Sequence, residues 1–338
     1  MLIKTDFCLK PFNTFAISAY ARQLSVIGFP SDLAELYDEG KLSDDSVLIL
    51  GEGSNILFTK HYEGLVLLNQ VRKMEVIEES DQWVCLKVNG GENWSALVDY
   101  TVSQGWGGLE NLSLIPGTVG AAPVQNIGAY GVELKEVLFE VEAFDMQTGS
   151  TKIFSNKDCA FGYRSSIFKT KLKGRFFILS VLLRLSKQPK PNLSYAPLKK
   201  AFDNRNIETI QLKEVSDAVK AIRRSKLPDP EILGNAGSFF KNPVVPFTKI
   251  EELVARFPDM PFYKQDDKSY KVAAGWLIEK AGWKGKRIGD AGVHEKQALV
   301  LVNHGNASGE EIFKLSEKVQ ESVNAQFGIK MDREVTVL

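Results

Sequence analysis

Cysteine and histidine are scarce in this chain. Its 338 residues contain three histidines and three cysteines, Cys8, Cys85 and Cys159. Widely separated cysteines in an odd number form neither a disulfide framework nor a zinc-binding pattern, and they suit a reducing compartment. We therefore expect no metal site, cysteines that are buried or incidental, and a cytoplasmic protein.

Long apolar runs and an excess of one charge are also missing. No segment approaches the length that spans a membrane, and the residues from Met1 to Asp6 lack a signal-peptide pattern. Lys+Arg and Asp+Glu both number 42, so no overall field attracts nucleic acid or a membrane surface. The expected partner is therefore a small molecule, and local groups must bind any anionic ligand.

The length predicts more than one domain, because 338 residues exceed one ordinary hydrophobic core. Helical and strand patterns alternate without a regular repeat, which indicates an α/β or α+β chain in three parts; of the two, we expect α+β. We place these parts at residues 1–70, 71–212 and 213–328. The last strand, in residues 329–338, is expected to return to the first part.

Local patterns predict several elements. Val47–Leu50 is an apolar strand, and Asn93 can cap a helix that ends near Ser103. The region from residue 231 to residue 328 has a helix-rich pattern. Its last helix, over 309–327, begins with a capping box formed by Ser308 and Glu311.

One uncharged segment, residues 115–133, is unusually rich in glycine; we call it the glycine run. No charged residue lies between Glu110 and Glu133, and the glycines are Gly117, Gly120, Gly128 and Gly131. Clustered glycines need a local reason, because each costs backbone entropy. A turn where two elements pack closely is one reason. A second reason is a loop that holds a phosphate or a flat ring with its backbone amides, and four glycines around Gln125-Asn126 favour this second reason.

A second glycine-rich segment, Gly51–Asn55, follows the apolar strand; we call it the short glycine loop. Ile56 stands where a dinucleotide-binding fingerprint requires glycine, and no Walker A sequence occurs. Alone, the loop is consistent with a tight turn or with a phosphate contact. Together with the glycine run, it suggests a dinucleotide held between two loops.

Three polar side chains stand in unusual surroundings. Arg164 lies among aromatic and apolar residues, where its planar fork suits a carboxylate, although a surface charge is the usual role. Ser238 lacks the G-x-S-x-G pattern, since Phe240 replaces the last glycine. It is therefore a weak hydrolase candidate and more often a turn hydroxyl. Glu334 begins an apolar strand, where a solvated edge charge is the default.

Taken together, these segments resemble the UDP-N-acetylenolpyruvoylglucosamine reductases, bacterial flavoenzymes of peptidoglycan synthesis. The resemblance covers nearly the whole chain and keeps the family's order and spacing. The segment around Tyr195 is typical of the longer subtype. The matching segments are Asn13–Phe15, Gly51–Asn55, Leu114–Glu133, Phe161–Phe168, Lys226–Pro230, Gly234–Pro243, Ala273–Leu277 and Glu334.

The resemblance implies a fold, a cofactor and a reaction. The first two parts would form a vanillyl-alcohol-oxidase-like FAD-binding fold, and the third part would close over the substrate. We expect the protein to be a monomer. FAD would be non-covalent, since no histidine lies between His61 and His294 to tether it. NADPH would reduce the flavin and leave. Flavin N5 would then pass hydride to the enolpyruvyl group of UDP-N-acetyl-3-O-(1-carboxyvinyl)-glucosamine, giving UDP-N-acetylmuramate.

The resemblance also implies residue roles. Arg164 would stabilise negative charge on the substrate carboxylate, Ser238 would donate a proton, and Glu334 would be the third catalytic residue. The implied cofactor-binding residues are Gly51, Gly53, Ser54, Asn55, Pro116, Gly117, Thr118, Gly120, Ala121, Gln125, Asn126, Gly128, Gly131 and Arg223. The implied substrate-binding residues, each with a packing or surface role as the alternative, are Tyr163, Tyr195, Lys226, Asn242, Tyr263, Lys271 and Gln297.

Two other functions compete with this one. A flavin- or nucleotide-binding module without catalysis would not need a proton donor such as Ser238. A sugar or alcohol oxidase on the same FAD scaffold is the second alternative. The resemblance does not say how Glu334 is held.

Overall fold

The computed structural model describes residues 2–43 and 46–338. Within these ranges the chain forms two compact units. The first unit comprises Met1–Phe7, Ala21–Glu52 and Glu63–Ser225, and the second comprises Cys8–Tyr20, Gly53–Tyr62 and Lys226–Leu338. The three-part division into 1–70, 71–212 and 213–328 stays a prediction.

Helices and strands both contribute to each unit. The helices are α1 (Pro30–Asp38), α2 (Trp94–Ser103), α3 (Ala196–Ala201), α4 (Leu212–Lys226), α5 (Phe247–Arg256), α6 (Ala274–Lys280) and α7 (Gly309–Phe327). The strands are β1 (Ile3–Cys8), β2 (Tyr20–Ile27), β3 (Val47–Leu50), β4 (Ile56–Leu57), β5 (Tyr62–Asn69), β6 (Met74–Glu79), β7 (Trp83–Asn89), β8 (Gly128–Ala129), β9 (Val132–Glu133), β10 (Leu138–Asp145), β11 (Ser150–Ser155), β12 (Phe176–Ser186), β13 (Gly234–Ser238), β14 (Val244–Pro246), β15 (Phe262–Lys264), β16 (Ser269–Val272), β17 (Arg287–Ile288), β18 (Ala291–Val293), β19 (Val300–Asn303) and β20 (Thr336–Val337).

The first unit is built on two sheets. One has the order β1-β2-β5-β3, and the other, which is antiparallel, has the order β11-β10-β12-β7-β6. Leu33 of α1, Leu67 of β5 and Phe177 of β12 are fully buried in one core cluster, which joins α1 to both sheets. Leu97 of α2 and Val181 of β12 belong to a second cluster. The central strand β12 thus contributes side chains to two cores, which explains its nearly continuous apolar sequence.

The sequence located the elements that precede the two glycine-rich segments. The predicted strand Val47–Leu50 has those bounds, so the short glycine loop starts directly where a parallel strand pair ends. Asn93 caps α2 by accepting a hydrogen bond from the Ala96 backbone N–H at 2.9 Å. The short glycine loop is therefore anchored to regular structure at one end.

The second unit contains more strand than the sequence indicates. Its two larger sheets have the orders β13-β19-β18-β17 and β14-β16-β15, which the sequence did not indicate. These strands are two to five residues long. Such short segments carry too little alternation to be distinguished from loops or helix ends. The expected helices are present in the same region as α5, α6 and α7. The helix α7 has the predicted bounds and capping box, in which Glu311 N donates to Ser308 Oγ at 3.2 Å.

The three cysteines differ in how deeply they are buried. Cys85 and Cys159 are buried, and burial raises the pKa of the Cys159 thiol to about 12. Cys8 is only half-buried.

Within 2–43 and 46–338, none of the helices combines the length and the apolar character that crossing a membrane requires.

Asp145 closes the turn between β10 and β11. Its carboxylate accepts hydrogen bonds from Arg175 Nε at 3.0 Å and from the Gln147 backbone N–H at 3.0 Å. The hydrogen bonds from Arg175 hold the pKa of the Asp145 carboxyl below its usual value. Because the side chain is nearly buried, these bonds are poorly replaced by water.

We expect Asp145→Asn to lower the melting temperature at pH 7 by roughly 3–5 °C, because charge-assisted hydrogen bonds are lost. A lowered pKa stabilises the fold above the unfolded-state value, about 3.9, and that stabilisation disappears as the pH falls through the folded-state value. The difference between wild type and variant should therefore close below about pH 4. Thermal unfolding between pH 7 and pH 3 measures it.

The control for this prediction is Asp217→Asn, which removes an exposed ion pair with Lys213. Exposed pairs contribute little, so its melting temperature should stay near that of the wild type. A wild-type advantage over Asp145→Asn that did not depend on pH would contradict the assigned role of the Asp145 charge.

Candidate active site

The structure brings the two glycine-rich segments into contact within the first unit. A side chain at Gly51 would come within 2.4 Å of Thr118 Oγ1. The backbone N–H of Gly117 donates to Glu52 Oε2 at 2.9 Å. The short glycine loop and the glycine run therefore meet at these residues, as a site between two loops requires.

Packing within the protein accounts for several of the glycines. A Cβ at Gly120 would lie 3.0 Å from Gly90 Cα, and one at Gly128 would lie 2.9 Å from the Glu133 side chain. Gly131 has φ +85° and approaches the Ser194 hydroxyl. Close packing, the alternative reason for this composition, is thus present. Contact between these glycines and a cofactor stays a prediction.

The side chain of Asn126 is occupied by the protein. Asn126 is fully buried, and its Nδ2 donates to Glu133 Oε2 at 2.9 Å and to the Gly162 carbonyl at 3.2 Å. Its Oδ1 accepts from the Lys135 backbone N–H at 3.1 Å. The Asn126 amide therefore fixes the shape of the glycine run. The predicted cofactor contact of Asn126 would have to be made by its backbone. The neighbouring Gln125 accepts from Lys169 Nζ at 3.0 Å.

Arg223 of α4 places a positive charge against the start of the glycine run. Its Nε donates to the Leu114 carbonyl at 3.2 Å, and its guanidinium also hydrogen-bonds the Tyr130 hydroxyl. Both partners are neutral, and burial lowers the pKa of this guanidinium. A half-buried cation with neutral partners suits an anionic ligand. The residues around the run therefore fit FAD, whose diphosphate is anionic.

Arg164 is held in a strained conformation beside the glycine run. Its φ is +51°, in the left-handed region that non-glycine residues seldom adopt. Its guanidinium donates to the Gly128 carbonyl at 2.6 Å and lies 5.4 Å from the Tyr163 ring centre. A solvated surface arginine would need neither feature, and strained backbone is concentrated at functional sites. The structure thus places Arg164 and Tyr163 next to the predicted cofactor loop.

Tyr195 lies near the same loop. It precedes α3, and its ring meets that of Tyr130 edge to face, with centroids 5.1 Å apart. Asn111 Nδ2 donates to the carbonyls of Tyr130 and Asn192, both at 2.8 Å. The segment that carries Tyr195 is therefore tied to the glycine run.

In the second unit, Ser238 ends β13 at a β-bulge. The bulge separates the pairs Asn235–Val302 and Ser238–Val300, and Gly237 within it has φ +66°. Bulges redirect side chains next to active sites. No hydrogen bond joins the Ser238 hydroxyl to any partner within residues 2–43 and 46–338. The Ser238 hydroxyl therefore does not hydrogen-bond the backbone of its own turn, which was the alternative role.

Glu334 is held by two neighbouring segments of the second unit. Its backbone N–H donates to the Phe239 carbonyl at 2.8 Å, and its carbonyl accepts from Asn55 Nδ2 at 3.3 Å. Just beyond it, β20 pairs in parallel with β4. The chain therefore places Glu334 directly beside the residue that follows Ser238, which answers how Glu334 is positioned.

Four predicted substrate residues gather around β16 and the start of α6. Lys271 is the cross-strand partner of Tyr263. Asn242 Oδ1 accepts from the Ala274 backbone N–H at 2.9 Å, and a Cβ at Gly275 would lie 3.0 Å from Gln297 Oε1. Lys226, the last residue of α4, also belongs to the second unit.

Comparison with known proteins decides the family. Residues 229–338 match the family profile of the UDP-N-acetylenolpyruvoylglucosamine reductase C-terminal domain, and residues 29–155 match an FAD binding domain. The chain is 48% identical to a UDP-N-acetylenolpyruvoylglucosamine reductase of Flavobacterium johnsoniae, over 100% of both chains. A Burkholderia pseudomallei relative of the same name is 47% identical, over 98% of this chain and 96% of its own length. The chain belongs to the UDP-N-acetylenolpyruvoylglucosamine reductase family.

Membership confirms the expected α+β fold with an FAD-binding domain, the FAD cofactor and the class of enzyme, an oxidoreductase of peptidoglycan synthesis. The fold is shared with the crystal structure of this reductase (MurB) from Thermus caldophilus. That structure has a TM-score of 0.68, covers 99% of both chains and is 23% identical.

Sequence reasoning missed Glu52. This residue lies in the middle of the short glycine loop, yet a single glutamate between two glycines gave no signal of its own. Its hydrogen bonds become visible only when residues distant in the chain are brought together.

Proposed function

We propose that this reductase uses NADPH to reduce the enolpyruvyl group of UDP-N-acetyl-3-O-(1-carboxyvinyl)-glucosamine, giving UDP-N-acetylmuramate. FAD, when bound, supplies the hydride chemistry. The observation that carries the proposal is Arg164, a strained arginine attached to the predicted cofactor loop. The names of the relatives support the same substrate class.

The glycine run, the short glycine loop and Arg223 would hold FAD. Backbone amides of the two loops suit its diphosphate and rings. Arg223 adds the charge that the uncharged run lacks, since its partners in the protein are neutral. We propose that this binding is non-covalent, because no histidine lies between His61 and His294.

Arg164 would bind the substrate carboxylate. Hydride addition to the terminal carbon leaves negative charge on the carbon next to that carboxylate, and the charge spreads into it. A guanidinium aimed at the carboxylate stabilises this charge as it develops. The bond to Gly128 and the fixed left-handed backbone hold the side chain in place before substrate arrives.

Ser238 would then donate the proton. The carbanion or enol of the substrate is strongly basic, so a hydroxyl of high pKa is still a useful acid. Glu334 would assist this transfer or orient the donor. The backbone bond between Glu334 and Phe239 supports this pairing, because it places the carboxylate residue beside the serine segment.

The remaining residues would recognise the sugar nucleotide. Lys226 and Lys271 supply positive charge for its diphosphate. Tyr263, beside Lys271 on the sheet, presents an exposed ring. Asn242 and Gln297 lie near the start of α6. Tyr163 and Tyr195 are also proposed substrate residues.

The visible spectrum tests the proposal. Purified protein should show oxidised flavin, and anaerobic NADPH should bleach it. Adding the enolpyruvyl sugar nucleotide should then restore the spectrum without oxygen. A sugar or alcohol oxidase would instead be bleached by its sugar or alcohol and restored by oxygen. Bleaching by NADPH with no recovery on adding the sugar nucleotide would contradict the proposed substrate.

A further inference from the structure

Glu52 joins the two glycine-rich segments through both oxygens of its carboxylate. Oε2 accepts from the Gly117 backbone N–H at 2.9 Å, and Oε1 accepts from Asn93 Nδ2 at 2.6 Å. The adjacent Gly51 packs directly against Thr118. One side chain of the short glycine loop therefore holds the glycine run and the residue that caps α2.

Asn93 is itself fixed. Its Oδ1 caps α2 by accepting from the Ala96 N–H, and the following Trp94 N–H donates to the Gly117 carbonyl at 2.9 Å. Glu52 thus lies at the N-terminal end of a ten-residue helix, where the helix dipole stabilises negative charge. The carboxylate, the helix end and the run form one connected arrangement.

We propose that Glu52 is a positioning residue for FAD, which keeps the short glycine loop and the glycine run at the separation that binds the cofactor. The inference rests on the proposed assignment of both loops to FAD. Backbone amides bind an anion well only when they already point toward it. Ordering the loops in the free protein lowers the entropic cost of binding.

The positions of the two donors favour a carboxylate over an amide at residue 52. Gly117 N–H and Asn93 Nδ2 both donate, and they meet different oxygens of the Glu52 side chain. A glutamine has the same shape but offers one acceptor and one donor group, so one of the bonds is lost. Turning the Asn93 amide around to compensate would remove the cap of α2.

The test is the rate of FAD release from purified holoprotein after dilution, measured as the increase in flavin fluorescence. Glu52→Gln should release FAD about ten-fold faster than the wild type, as expected for the loss of one charge-assisted hydrogen bond. Glu52→Asp keeps the charge but is shorter by one methylene, and it should also release FAD faster. The matched control is Glu92→Gln, because the Glu92 side chain makes none of these contacts; its release should be unchanged.

Two further measurements separate the possible failures. The melting temperature of each variant without FAD shows whether it folds, and Glu52→Asp replaces Glu52→Gln if the latter does not. Thr118→Val tests the loop assignment itself. If Thr118→Val releases FAD faster while both Glu52 variants behave as wild type, the inference about Glu52 is wrong. If no variant changes the rate, the assignment of these loops to FAD fails as well. Slower release from Glu52→Gln would show that the carboxylate competes with the cofactor, which also overturns the inference.

Discussion

Ser238→Ala should still be bleached by NADPH but should reduce the enolpyruvyl sugar nucleotide about 10²–10⁴-fold more slowly, the range that a positioned proton donor contributes. The physical reason is that the change removes the donor and leaves the proposed cofactor residues intact. Anaerobic stopped-flow spectroscopy measures the two half-reactions separately. The bulge at Gly237 keeps the backbone in place, because its geometry does not depend on the serine hydroxyl.

Ser225→Ala is the matched control for this variant. The Ser225 hydroxyl donates to the Ile222 carbonyl within α4, so its loss removes a serine without touching the proposed proton path. Both half-reactions of this control should match the wild type. If Ser238→Ala slowed both half-reactions to the same extent, Ser238 would be structural and another group would have to donate the proton.

Arg164→Lys is the second change with a large expected effect. Lysine keeps the positive charge but cannot present two parallel N–H groups to a carboxylate. It also replaces the guanidinium that donates to the Gly128 carbonyl. We expect the second half-reaction to slow by about 10²-fold, comparable to losing one preorganised donor to a developing negative charge. Bleaching by NADPH should change much less.

Single-turnover reoxidation of the reduced protein by the sugar nucleotide measures this effect. Arg184→Lys serves as the control, since Arg184 lies on β12 with its guanidinium over the Trp83 ring, 4.5 Å from its centre. An unchanged second half-reaction in Arg164→Lys would rule out the bidentate carboxylate role. Loss of FAD from this variant would instead assign Arg164 to the cofactor loop.

Long or strongly marked elements could be predicted from the sequence. The strand Val47–Leu50 and the helix Gly309–Phe327 have the predicted bounds, because one is a compact apolar run and the other has a capping box and an apolar face. The short strands between Gly234 and Asn303 could not be predicted. Their pairing depends on partners elsewhere in the unit, so their own sequences carry little signal.

The candidate site was predictable in its residue types and less so in its contacts. The uncharged run pointed to a loop that binds through its backbone, and the surroundings of Arg164 pointed to an anion. Asn126 shows the limit of this reasoning, because its side-chain amide hydrogen-bonds Glu133, Gly162 and Lys135 within the protein. A side chain's hydrogen-bond partners cannot be inferred from its neighbours in the chain.

The sequence by itself determined the family and the cofactor class, since these follow from residue types in a characteristic order, and it predicted the residues that would carry the chemistry. Only the tertiary structure decided which glycines are required by packing, that Arg164 is held in a left-handed conformation, and that Glu52 bonds to Gly117 across 65 residues of chain. The reason is physical: hydrogen bonds and steric contacts form between neighbours in space, and folding alone makes these residues neighbours.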